Sequence, residues 1–174
     1  MKLLLALWAA LACALFATPG ASAASTPPPA AGGANARASV EGCMNTWLFD
    51  GIWRVRVTSV DSTGSQVVME VRNGSHDALT TADSGFAAIS GAGIDLAFSD
   101  GSIHNLDISA TKFREELSTV KLPPGGKATT TLRFAPATDP AVKPAKLLIA
   151  VDPKYNSYVH SSVKDPSFRV HLDC

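Results

Sequence analysis

Positive charge is not in excess in this chain: 15 Lys and Arg stand against 15 Asp and Glu, for a formal net charge of +0. A nucleic-acid binder carries a basic stripe, and no run of Lys and Arg forms one along the sequence, so nucleic acid is not an expected partner. Long apolar runs are equally scarce. Residues 3–17 form the main one, too short for the roughly 20 residues that cross a bilayer. No lysine-rich amphipathic helix offers another route to the membrane.

Catalytic signatures are also missing. A serine hydrolase places its nucleophile in Gly-x-Ser-x-Gly on a strand-to-helix turn. Ser90 has Ala88 where the first glycine belongs, and no helical pattern follows. Glu115 and Glu116 are sequence neighbours, which do not face each other on a helix turn. A copper site of the cupredoxin kind clusters cysteine, histidine and methionine in one loop. Here Cys174 is the last residue, Met44 and Met69 lie far from it, and His76, His104, His160 and His171 are scattered. No catalytic, cofactor or metal site is expected, and the chain does not read as an enzyme.

What is present begins with an export pattern. Lys2 precedes the apolar residues 3–17, Pro19 and Gly20 break any helix, and Ala21, Ser22 and Ala23 form a small-residue cleavage site. Residues 1–23 therefore read as a secretory signal peptide, and the mature protein as periplasmic or secreted. Lipidation at Cys13 is disfavoured, because Leu11 sits one position from where a lipobox wants it. Residues 24–39, rich in Pro, Gly, Ala and Ser, have little to bury and read as a disordered tether. Residues 40–174 suit one domain with a sustained core. After removal of residues 1–23 the pair Cys43 and Cys174 remains, one at each end of the domain, and an oxidising compartment favours their disulfide.

The domain alternates with period two. Trp53, Val55 and Val57 fall on one face and Arg54, Arg56 and Thr58 on the other. Comparable stretches run through Val67 to Arg72, Ile94 to Ser99, Thr129 to Phe134, Lys146 to Val151 and Phe168 to Asp173, with a weaker one at Ile103 to Ile108. Asn73-Gly74, Asp100-Gly101 and Pro123-Pro124-Gly125-Gly126 read as turns, the first as a hairpin turn although Asn73-Gly74-Ser75 also matches a glycosylation sequon. Residues 135–144 read as a crossover, and residues 110–119 hold the one helix candidate. The fold class is all-β: an antiparallel immunoglobulin-like β-sandwich of about seven to eight strands with at most one short helix. Parity of the last strand aims Cys174 with Phe168, Val170 and Leu172, into the core or its edge.

The segments "WLFDGIWRVRVTSV", "QVVMEVRNGSHDALT", "IDLAFSDGSIHNL" and "VKLPPGGKATTTLRFAPA" resemble the bacterial exported immunoglobulin-like domains of unknown function, a superfamily that includes a secreted mycobacterial antigen. The resemblance covers most of residues 47–151. It implies a β-sandwich and an accessory or binding module, and brings no catalytic residues with it.

Four aromatics lie outside the strongest core parity: Trp47, Phe49, Tyr155 and Tyr158. Two placements are open for Trp47 and Phe49. They plug the end of the sandwich beside the disulfide, the favoured reading, or they join Tyr155 and Tyr158 in an exposed platform. The expected role is a non-enzymatic accessory or protein-interaction module whose partner is another protein or an envelope polymer. The alternative is a small-ligand or carbohydrate binder using the four aromatics.

Overall fold

The computed structural model describes residues 39–87, 91–152 and 165–174. The expected signal peptide, nearly all of the expected tether, Ser90, His160, Tyr155 and Tyr158 lie outside the described residues.

The alternating stretches become strands because each offers one apolar row to a shared core. Nine strands are present among the described residues: β1 (Val40–Cys43), β2 (Leu48–Phe49), β3 (Trp53–Val60), β4 (Gln66–Asn73), β5 (Ile94–Phe98), β6 (Ile103–Asn105), β7 (Lys127–Arg133), β8 (Pro144–Ile149) and β9 (Phe168–His171). They form a five-stranded sheet in the order β1-β9-β8-β5-β6 and a four-stranded sheet in the order β2-β3-β4-β7. The chain is a two-sheet β-sandwich. The helix candidate shrinks to one widened turn, Arg114–Ser118, which sends Phe113 and Leu117 into the core. A 3-10 turn, Ala82–Ser84, lies on the β4–β5 crossover.

Parity predicted the core well. Trp53, Val55, Val57, Val67, Met69 and Val71 from one sheet meet Ile94, Leu96, Leu147, Phe168 and Val170 from the other, all fully buried. Each such side chain stabilises the fold by on the order of 1.5 to 3 kcal/mol. Trp53 packs edge-on against Phe86 at 6.2 Å, and its indole N–H donates to Ser84 Oγ at 2.7 Å. That bond anchors the β4–β5 crossover at Ser84. Between β3 and β4, Asp61 accepts the N–H groups of Thr63 and Ser65. Gly64 lies there at φ +73°, and a Cβ on it would meet Leu96 at 2.8 Å. A side chain at that position would push the sheets apart.

Three expectations need correction. First, β1 pairs with β9 in parallel, Val40 beside Phe168 and Cys43 beside His171, whereas every other ladder among the described residues is antiparallel. The whole domain separates these two strands, so no short connection dictates their direction. Second, Cys43 and Cys174 are joined, with Cα atoms 5.7 Å apart, but Cys174 is exposed. Strand β9 ends at His171, so its parity does not carry to the last residue. Third, Asn73-Gly74 is not a hairpin turn, since β4 is followed by the crossover to the other sheet. Asn73 is fully buried, donates from Nδ2 to the carbonyls of Asp77 and Leu122, and accepts from Ser75. An amide so occupied cannot be glycosylated in the folded protein.

The disulfide spans a sequence separation of 131 and fastens both ends of the domain at one sheet edge. The loop-entropy relation gives such a closure roughly 4 to 5 kcal/mol.

Candidate functional site

The outward face of the four-stranded sheet concentrates charge that the sequence spreads over three distant segments. In β3, Arg54 and Arg56 point away from the core; in β4, Glu70 and Arg72; in β7, Lys127 and Thr129. Antiparallel register then sets Arg54 beside Arg72 and Arg72 beside Lys127, in one row across three strands. The adjacent row runs Arg56, Glu70, Thr129.

Glu70 is shared. Its Oε2 accepts from Arg56 Nε at 2.9 Å and Nη2 at 2.5 Å, and its Oε1 accepts from Lys127 Nζ at 2.5 Å. Hydrogen bonds from Lys127 and then Arg56, with their charges, hold the Glu70 carboxyl below the usual carboxylate range. Arg54 and Arg72 have no such partner. Among the described residues neither makes an ion pair, and those residues include every Asp and Glu of the chain.

Aromatic rings complete the face. The Arg54 guanidinium lies 4.3 Å over Phe49, while those of Arg56 and Arg72 lie 4.6 and 5.8 Å from the Trp47 ring. The rings are held by a hairpin between β2 and β3 whose corner is Asp50. That side chain is 1% exposed, and its Oδ1 accepts from the N–H groups of Ile52 and Trp53, both at 2.7 Å. Burial pushes its carboxyl up to about 6 despite those donors. The tight corner sends Leu48 inward against Val55 and leaves Phe49 outward beside Arg54. Gly74 makes room, because a Cβ there would stand 2.7 Å from Phe49 Cε2 and 3.0 Å from the Ile52 carbonyl.

No family model and no curated protein matches the chain. Among solved structures, the chain is similar to an uncharacterized β-sandwich protein from Clostridium difficile 630, at 6% identity and a TM-score of 0.41, over 79% of this chain and 96% of that one.

The favoured placement of Trp47 and Phe49 is therefore overturned. They do not plug the sandwich beside the disulfide; Phe49 is 39% exposed, and both rings lie on the sheet's outer face. The expectation that no basic stripe exists also changes. Arg54, Arg72 and Lys127 form a short one, hidden from the sequence because only register unites them. No sequence motif marks Asp50, Glu70, Arg72 or Lys127; the signal for Arg54 and Arg56 is their shared polar parity shortly after Trp47 and Phe49.

The three described histidines are dispersed. His76 is exposed, His104 Nδ1 lies 2.6 Å from the Ala135 carbonyl, and His171 Nε2 lies 2.8 Å from Glu41. Among the described residues, no three His, Cys, Asp or Glu side chains gather as a metal site would require. A hollow of about 220 Å³ beside Asp100, His104 and Asp139 is lined by carboxyls already accepting loop N–H groups from Ser102 and Ala141.

Proposed function

We propose that this chain is a non-enzymatic, exported accessory module that engages another protein or an envelope polymer through the outward face of its four-stranded sheet. The reading is supported by the outward placement of Trp47 and Phe49 under three guanidiniums, on a face where Arg54, Arg72 and Thr129 are exposed. Arginine and large aromatic side chains are enriched among the residues that carry interface binding energy, the rings because they bury large area with few rotatable bonds and arginine because its planar fork directs several hydrogen bonds. Export is supported by the leader pattern in residues 1–23 and by the Cys43–Cys174 bond, which persists in oxidising compartments. The likeness to exported immunoglobulin-like domains belongs to the same proposal.

Carbohydrate binding is the weaker reading. Sugars stack on open ring faces, whereas guanidiniums lie over both rings and would have to be displaced at a cost of about 0.5 to 1 kcal/mol each.

A photo-crosslinking residue at Thr129, exposed on this face, tests the reading against the same residue at Ile103, which is 58% exposed on the other sheet. In cells producing the full chain, the Thr129 position gives a discrete adduct that disappears with Phe49→Ser. Equal adducts from both positions, or none from Thr129, contradict the proposal.

A further inference from the structure

The chain places three cations side by side and supplies too few anions for them. Like charges directly opposite one another across a ladder destabilise it. Yet Arg54, Arg72 and Lys127 occupy three such consecutive positions. Glu70, the carboxylate that forms ion pairs on this face, is committed to Arg56 and Lys127. Relief cannot come from the undescribed segments, because residues 1–38, 88–90 and 153–164 contain no Asp or Glu. No carboxylate of the chain pairs with Arg54 or Arg72, so both exposed guanidiniums are available to an anion from another molecule.

We propose that this row binds a carboxylate-rich stretch of a partner polypeptide; the inference rests on the protein-interaction reading above and names the chemistry of the partner. Neighbouring strands lie about 4.8 Å apart, so the row from Arg54 to Lys127 spans roughly 10 Å. Two or three Asp or Glu side chains on one side of an extended or helical segment, spaced about 5 to 7 Å, match that length. The guanidiniums of Arg54 and Arg72 are exposed and steadied on Phe49 and Trp47. Each can offer its planar fork to a carboxylate in two parallel hydrogen bonds. A nucleic-acid or polyphosphate strand is the poorer fit. Such binders neutralise phosphates along a long groove, whereas this row is short and Glu70 lies in the row beside it.

Titration of the full chain with poly-L-glutamate, followed through the Nε–Hε resonances of its arginines and by calorimetry at low and physiological salt, tests the proposal. The resonances of Arg54 and Arg72 move, affinity falls as salt rises, and Arg54→Gln/Arg72→Gln weakens binding at least tenfold while its melting temperature shows a folded domain. Arg169→Gln, on the outer side of the five-stranded sheet, leaves binding unchanged. No binding at low salt, or equal binding by the double variant, overturns the proposal. So does tenfold tighter binding of polyphosphate of equal charge, tighter binding of neutral dextran, or a dimer of the chain that the double variant abolishes. If the Thr129 crosslink forms while poly-L-glutamate fails, the carboxylate assignment alone is wrong; if both fail, the face is not an interface.

Discussion

The two outward faces of this sandwich handle charge differently. On the five-stranded sheet, Glu41 receives His171 at 2.8 Å and Lys146 at 3.5 Å, Arg169 stands beside Glu41 in register, and Asn105 donates to Asp95 at 2.7 Å. There Glu41 serves both His171 and Lys146, and Arg169, though it makes no ion pair among the described residues, stands opposite a carboxylate and not opposite another arginine. On the four-stranded sheet one carboxylate serves two cations, and two further arginines rest on aromatic rings with no ion pair among the described residues. Both faces use the same residue types in a chain whose formal charges cancel. Pairing register, not composition, decides which face is left wanting an anion.

That comparison can be broken at graded points. The largest expected loss comes from the element that fastens the five-stranded edge. Cys43→Ser with Cys174→Ser lowers unfolding free energy by roughly 2 to 5 kcal/mol, read by urea denaturation under non-reducing conditions. Intact stability in that double variant would show that β1 holds to β9 without the bond.

Next is Asp50, the corner under Phe49. Its folded pKa of about 6 lies above the ordinary aspartate value of 3.8. Between those values the folded state keeps a proton that the unfolded chain has released, so stability falls as pH rises from about 4 to about 6, by on the order of 2 to 3 kcal/mol. Asp50→Asn retains an Oδ1 acceptor and flattens that slope; an unchanged pH profile would mean another group causes it.

Glu70→Gln is expected to cost about 1 to 2 kcal/mol, because half-exposed Arg56 and Lys127 recover water in place of the carboxylate. Since the Glu70 pKa is lowered, its contribution is present above the ordinary carboxylate range and fades as pH falls through the folded value. The smallest effect belongs to the balanced face. Glu41→Gln changes stability by less than about 1 kcal/mol, since its partners are surface groups. A larger loss there than for Glu70→Gln would reverse the contrast between the faces.

How much of this was legible follows from the range of each constraint. Alternation is local, so Trp53, Val55, Val57 and their counterparts in five other stretches could be assigned to the core from neighbours alone. An even pair of cysteines allows one internal bond, so Cys43 and Cys174 were legible too. The basic row was not, because it depends on three strands drawn from residues 53–60, 66–73 and 127–133 meeting in one register. Trp47 and Phe49 were misplaced for a similar reason. Their direction is set by the buried Asp50 corner and by the space above Gly74, neither of which has a periodic signature.

The claim that the four-stranded face carries unrelieved like-charge contact is tested most directly by a double-mutant cycle between Arg54 and Arg72, with unfolding free energies measured at low and at high salt. Each single substitution to Gln also loses stacking on its ring, but the cycle isolates the pair. The account predicts a repulsive coupling of about 0.2 to 1 kcal/mol at low salt that vanishes at high salt. A coupling that is attractive, or zero at low salt, would contradict it.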